Sequence, residues 1–209
     1  DWNGQVFDNC VVFQAAKDKE GDLAVGNLAN MSVALKLTIH GVVYRSSEHL
    51  YQCMRFPHQP DWQQEIIDQV GPQGAKMKAK KDGRKKFHSR PDWDDVRVEI
   101  MRWTLRVKLA QNYQDFFVKL LRWTSPRPIV ERSEKDRFWG AVEEKDGVLR
   151  GANQLGRLLV ELRDQAIALK AAGREAELLQ VEPPDIDNFL LLGKRIGVVQ
   201  AAGLAAERK

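Results

Sequence analysis

Apolar and polar residues alternate over Leu37-Thr38-Ile39-His40-Gly41-Val42-Val43-Tyr44, which predicts two short strands turning at the glycine. Ser46 or Ser47 can then cap a helix by accepting a backbone N–H. On that helix Glu48 and Gln52 fall one turn apart on one face, with Tyr51 beside them. Trp62, Ile66 and Val70 recur at every fourth position and predict a helix from Pro60 to about Val70. The best-defined periodicity starts at Asp92 or Asp94 and runs to about Gln111. At about 100° per residue, Val96, Ile100, Trp103, Val107 and Ala110 make one apolar stripe, and Val98, Met101, Leu105 and Leu109 a second nearly opposite. Glu99, Arg102 and Arg106 fill one polar strip between them and read as a solvated face. Arg97, Thr104, Lys108 and Gln111 fill the other. A helix with two apolar stripes packs on two sides, so a polar strip between them is partly enclosed.

Elsewhere the pattern is shorter. Val11-Val12-Phe13 and Ile129-Val130 read as buried strands, and Tyr113 to Trp123 as a helix with Phe116, Phe117, Leu120 and Leu121 inside. Leu158, Leu159 and Leu162 mark a helix after Gly151-Ala152-Asn153-Gln154-Leu155-Gly156. Beyond about Gln165 the composition shifts to Ala, Leu, Glu and Lys, with a break at Pro183-Pro184. This divides the chain into a main domain over 1–165 and a C-terminal helical appendage over 166–209, with docking or oligomerisation as its default role.

The chain's 209 residues suit one such domain with an appendage. There is no leader pattern of basic then apolar residues and no apolar run of about 18 residues, which points to a cytoplasmic protein rather than a secreted or membrane-spanning one. Cys10 and Cys53 form no CxxC pair, in keeping with a reducing compartment. His40, His49, His58 and His88 lack ligand spacing, so no metal site is expected. The net charge is +4, yet Lys76 to Arg90 alone holds eight basic residues against Asp82. That run is either a solvated helix and loop or a contact for phosphate or nucleic acid.

Several residues carry chemistry. Glu48 either helps its helix start, where the dipole favours an anion, or is a carboxylate held rigidly beside a pocket. Asn30 either bonds backbone in its loop or reaches a ligand. Lys108 either snorkels to water or, enclosed, meets an anion or loses its proton and becomes a usable nucleophile. Asp136-Arg137-Phe138-Trp139-Gly140 sets an acid beside an indole, either a stacking surface with an acid to act or a loop anchor. Asn153 caps its helix, or with the adjacent glycines lets the helix N-terminus meet phosphate or sugar.

Taken in order, these motifs resemble the NADAR superfamily, which includes YbiA-like N-glycosidases and guanine ADP-ribosyl hydrolases. The resemblance covers roughly residues 26–163. It rests on Asn27-Leu-Ala-Asn-Met, Ser47-Glu48-His49-Leu-Tyr-Gln52, Ala75-Lys76-Met77 with Gly83-Arg84, and Asp92-Trp93 followed by Arg97, Met101, Leu105 and Lys108. Val130-Glu131, Asp136, Trp139-Gly140 and Gly151, Asn153, Leu155-Gly156 continue it. The resemblance implies a helix-rich α+β domain with a few short strands, needing neither metal nor cofactor, that cleaves an N-glycosidic bond to a phosphorylated ribose. It implies Glu48, Lys108 and Asp136 as catalytic residues, with Trp139 and Asn153 on the substrate. Asn30, Gln52, Arg55, Arg84 and Gly140 join these as substrate-binding candidates. Many YbiA-like chains have Ser-Asn-Phe where this one has Ala29-Asn30-Met31, and lysine where it has Arg55. These differences and the basic run favour removal of ADP-ribose from ADP-ribosylated guanine, with DNA bound through Lys76–Arg90. The alternatives are an N-glycosidase for phosphorylated ribosylamino intermediates of riboflavin synthesis, and a non-catalytic ADP-ribose or NAD reader.

Overall fold

The structure is a computed structural model and describes residues 7, 9–14, 18–80 and 88–201. Within these, the strands in chain order are β1 (Val11–Phe13), β2 (Leu37–Ile39), β3 (Val42–Tyr44), β4 (Ile129–Glu131), β5 (Val142–Glu143), β6 (Leu149–Arg150), β7 (Gln180–Val181), β8 (Leu190–Leu191), β9 (Lys194–Arg195) and β10 (Val199–Gln200). The α-helices are α1 (Ser47–Cys53), α2 (Pro60–Ile67), α3 (Pro72–Lys80), α4 (Trp93–Gln111) and α5 (Gln154–Ala171). Long helices with short strands make this an α+β fold, as expected. Among the described residues no helix is long and apolar enough to cross a membrane.

The chain forms two compact units, residues 1–29 with 114–175, and 30–113 with 176–209. In the first, β1 pairs in parallel with β4, Val11 opposite Ile129. Both strands are short and apolar, and α5 covers β4 with Leu155, Leu158, Leu159 and Leu162 buried. The helix approaches that closely because Gly156 has no side chain: a Cβ there would lie 2.0 Å from the Ile129 carbonyl oxygen. Arg163, also on α5, is buried with its Nη1 donating to the Arg127 carbonyl at 2.6 Å.

In the second unit β2 and β3 form the expected hairpin, and His40 and Gly41 both take positive φ at its tip. α1 follows at once, with all seven of its residues buried. It packs on α2, α3 and α4. Helix α4 matches the two-stripe pattern: Ile100, Trp103, Val107 and Ala110 are buried on one side, Met101, Leu105 and Leu109 on the other.

Three expectations change. Helix α2 stops at Ile67, and Val70 beyond it is 84% exposed, so the four-residue apolar spacing ran past the element. Tyr113–Val118 is a wide π-type turn and Leu121–Thr124 a 3₁₀ turn, in place of one helix; Phe116, Phe117 and Leu121 are nonetheless buried. Among its described residues, the helical appendage expected over 166–209 is α-helical only through Ala171. From residue 180 to 200 it forms the antiparallel pairs β7–β10 and β8–β9, and β7 and β10 pack on α4. Its apolar residues find a surface there: Phe189 stacks edge-on against Trp103 at 4.8 Å. Buried Gln63 fixes the same segment, donating to the Leu190 carbonyl at 3.1 Å and accepting the Leu192 N–H at 2.6 Å.

Replacing Gly156 with alanine will destabilise the protein by about 3 kcal/mol, read as a lower midpoint in urea unfolding, because the added methyl meets the Ile129 carbonyl and the Asn153 amide that clamps the same strand.

Candidate functional site

The second unit holds Asn30, Glu48, Gln52, Arg55 and Lys108. Ser46 caps α1 by accepting the His49 N–H at 3.4 Å, and its hydroxyl lies 2.8 Å from His49 Nδ1. The His49 Nε2 is 3.1 Å from the Gln69 carbonyl. A carbonyl only accepts, so Nε2 carries the proton and Nδ1 accepts from Ser46. Burial holds the His49 pKa below its ordinary value, which keeps that neutral form. The helix start is thereby locked from both sides.

Glu48 stands in the first turn of α1 with only 5% of its surface exposed. Its own N–H donates to the Asn30 carbonyl at 3.1 Å, which ties Asn30 to the helix start. Its Oε1 accepts from Gln52 Nε2 at 2.8 Å. Burial raises the Glu48 pKa, against the opposing pull of Lys76, the Gln52 hydrogen bond, Lys80 and Arg55. Lys76 and Lys80 are one turn apart on α3, so the basic run presents one of its faces to this carboxylate. Arg55 stacks on Trp93 at 5.0 Å, Trp93 lies 5.0 Å from Tyr51, and Arg55 Nη2 donates to Ser89 Oγ at 3.0 Å. Trp93 stands in the sequence only within the Asp92-Trp93 motif, and nothing in the linear pattern signals its place beside Arg55.

Lys108 is 1% exposed, so it does not snorkel. It lies on the enclosed polar strip of α4 with Thr104, which is also buried and donates to the Ile100 carbonyl. Burial lowers the Lys108 pKa to about 7. An amine so placed is partly uncharged near neutrality and is a competent nucleophile or base. Burial pushes the Cys53 thiol up instead, so that sulfur stays protonated and inert.

The basic run divides on inspection. Arg90 is buried and donates to both oxygens of Asp92, at 2.6 and 2.8 Å, and to the Asp187 carbonyl at 2.8 Å. It is therefore part of the scaffold rather than a contact for nucleic acid. Lys78 pairs with Glu65 and lies over the Trp62 ring. Arg84, like the rest of 81–87, lies outside the described residues.

The first unit holds Asp136, Trp139, Gly140 and Asn153. Asp136 Oδ1 accepts the N–H groups of Phe138 and Trp139 at 3.0 and 2.9 Å, shaping the loop; Oδ2 makes no hydrogen bond among the described residues. Half-buried Trp139 meets Phe138 edge-on at 5.1 Å. A Cβ on Gly140 would lie 2.5 Å from the Glu131 carbonyl, so this glycine allows the loop to approach β4. Asn153 is 1% exposed and takes left-handed backbone at φ 49. Its side chain does not cap α5. It binds β4, accepting from Glu131 N–H at 3.1 Å and donating to the Ile129 carbonyl at 2.8 Å.

The first N–H groups of α5 bond to the loop before it. The N–H groups of Asn153, Gln154 and Leu155 donate to the carbonyls of Gly140, Phe138 and Trp139 at 3.1, 3.0 and 3.0 Å. Three N–H groups at this helix start are thus used by the acid-aromatic loop.

A buried carboxylate at a helix start, with cations of a second helix acting on it, and an enclosed amine on a third helix give this α+β protein an acid and an amine held out of water. The NADAR domain model matches residues 12–166. This chain belongs to the NADAR family. It is 32% identical over 159 residues to the N-glycosidase YbiA of Escherichia coli (strain K12), covering 76% of this chain and 89% of that protein. It is 34% identical over 154 residues to the riboflavin biosynthesis protein VVA0006 of Vibrio vulnificus (strain YJ016), covering 70% of this chain and 37% of that protein. The NMR structure of Escherichia coli YbiA superposes with a TM-score of 0.61 at 29% identity, over 81% of this chain and 91% of that one.

Lys108 makes a stability prediction with a definite sign. The unfolded chain holds the lysine proton up to its ordinary 10.5, the folded chain only to about 7. Between those limits the unfolded state binds more protons, so stability rises with pH, by up to about 1.4 kcal/mol per unit, and is flat below the window. Denaturant unfolding of Lys108→Met across pH 6 to 10 will lack this slope and will give a more stable protein at neutral pH.

Proposed function

We propose that this NADAR-family chain is an N-glycosidase that releases ADP-ribose from ADP-ribosylated guanine, in DNA or in nucleotides. The observation that carries the reading is the setting of Glu48, a buried carboxylate with Lys76, Lys80 and Arg55 acting on it. Breaking a bond between ribose and a base builds positive charge at C1 and the ring oxygen, which an adjacent carboxylate stabilises. The cations suit a diphosphate attached to the same sugar. Lys108 supplies an amine for a Schiff base with C1 once the ring has opened, and water then frees the sugar. Asp136 and Trp139 are carried over from the family resemblance as an acid and a stacking surface for a base. Gly140 and Asn153 act by position, since their packing against β4 shapes the loop that carries these two side chains. The Ala29-Asn30-Met31 form and Lys76 and Lys80 of the basic run support guanine-linked ADP-ribose as the substrate.

A second reading, cleavage of a phosphorylated ribosylamino intermediate of riboflavin synthesis, is favoured by the relative named for riboflavin biosynthesis. The two are separated by offering each substrate alone and following products by mass spectrometry. Free ADP-ribose with unmodified guanine is expected; cleavage of the ribosylamino compound alone would establish the second reading instead. Glu48→Gln will lower kcat by about a thousandfold with unchanged thermal unfolding. Activity that needs the Glu48 carboxylate falls as pH drops through its raised pKa, so the acidic limb of kcat/KM will lie above the ordinary 4.5.

A further inference from the structure

Two side-chain oxygens next to Glu48 are buried and accept no hydrogen bond among the described residues: Asn30 Oδ1 and Gln52 Oε1. Both residues are 5% exposed. Their amide orientations follow from their neighbours. Gln52 turns its NH₂ to the Glu48 carboxylate at 2.8 Å, and Asn30 turns its NH₂ to the Met101 thioether at 2.9 Å. An ionised carboxylate and a thioether only accept, so each amide must present its donor end there and its oxygen elsewhere. Both residues are also tied to the same carboxylate residue, Gln52 through its side chain and Asn30 through the backbone carbonyl that accepts the Glu48 N–H.

A buried acceptor without a donor keeps the full cost of its lost hydration. Two such oxygens, on two residues that are each hydrogen-bonded to Glu48, lack their donors. We infer that Asn30 Oδ1 and Gln52 Oε1 are paired acceptors for the vicinal cis-hydroxyls of a ribose ring and set a preference for ribose over 2-deoxyribose. This rests on the reading above, that Glu48 works at C1 of a phosphorylated ribose. The hydroxyl on the adjacent ring carbon then comes to an acceptor beside that carboxylate. Its hydrogen bond strengthens as C1 becomes positive, since the charge makes the hydroxyl a better donor. The 2-deoxy sugar leaves one amide oxygen buried and bare, so it is rejected by the cost of that oxygen and not by size.

Isothermal calorimetry on the full chain tests this with D-ribose 5-phosphate and 2-deoxy-D-ribose 5-phosphate. The ribose compound will bind about tenfold more tightly or better, the worth of one hydrogen bond to a buried acceptor. Asn30→Leu and Gln52→Met will each bring the ratio of the two affinities towards one, while Asn30→Asp, which keeps an acceptor, will retain the preference. A purely structural role would lower the unfolding temperature and leave the ratio unmoved, which would overturn the inference. Equal binding of the two sugars by the unaltered protein would overturn it and leave the glycosidase reading standing. Binding of neither would overturn both.

Discussion

Keeping an ionisable carboxylate inside the first turn of a wholly buried helix requires the groups around it to be in place before any ligand arrives. Water cannot relax to accommodate Glu48, so the protein's own dipoles must do so. Ser46 fixes the helix start, the Asn30 carbonyl takes the Glu48 N–H, and Gln52 holds one carboxylate oxygen. His49 then locks the cap to Gln69, 20 residues on. The surrounding helices follow from this demand. α1 is too short to stand alone and is stable only because α2, α3 and α4 enclose it. The same enclosure removes the carboxylate from water and raises its pKa. Fold and chemistry are set by one act of burial.

Helix α4 extends the theme. Two apolar stripes commit it to packing on both sides, and Lys108 is carried inside on the strip between them. The charged form of that lysine is disfavoured by the packing that stabilises the unit, so stability and amine reactivity oppose each other at one position. The tail over 180–200 contributes to the covering, since β7 and β10 lie on α4 and Phe189 seals Trp103. Residues far from Lys108 in sequence therefore hold the helix that bears its amine.

Much of this was legible in the chain. The hairpin turn at Gly41, the Ser46 cap, the pairing of Glu48 with Gln52 and the span of α4 follow from local rules, because each depends on residues within one or two turns. The resemblance to NADAR proteins supplied the family. What local rules missed is non-local. Gly140 and Asn153 looked like ligand contacts, yet one is glycine because β4 passes close and the other is an amide clamp on that strand. Arg90 looked like one more cation in a run, and only the distant Asp187 carbonyl shows it to be internal. The tail's composition suggested helix, but Pro183-Pro184 and the positive-φ residues Asn188, Leu192 and Gly193 divert it into short pairs.

The loop-bonded start of α5 has a mechanical corollary. The Trp139 backbone carbonyl accepts the Leu155 N–H, so the indole is mounted on main chain keyed to the end of a rod of about 27 Å. Any swing of that segment would strip three amides at once and release the strand clamp at Asn153. Adaptation at this aromatic surface is thus confined to torsions beyond Cα, and a planar ring landing there encounters a rigid shelf with an adjustable edge.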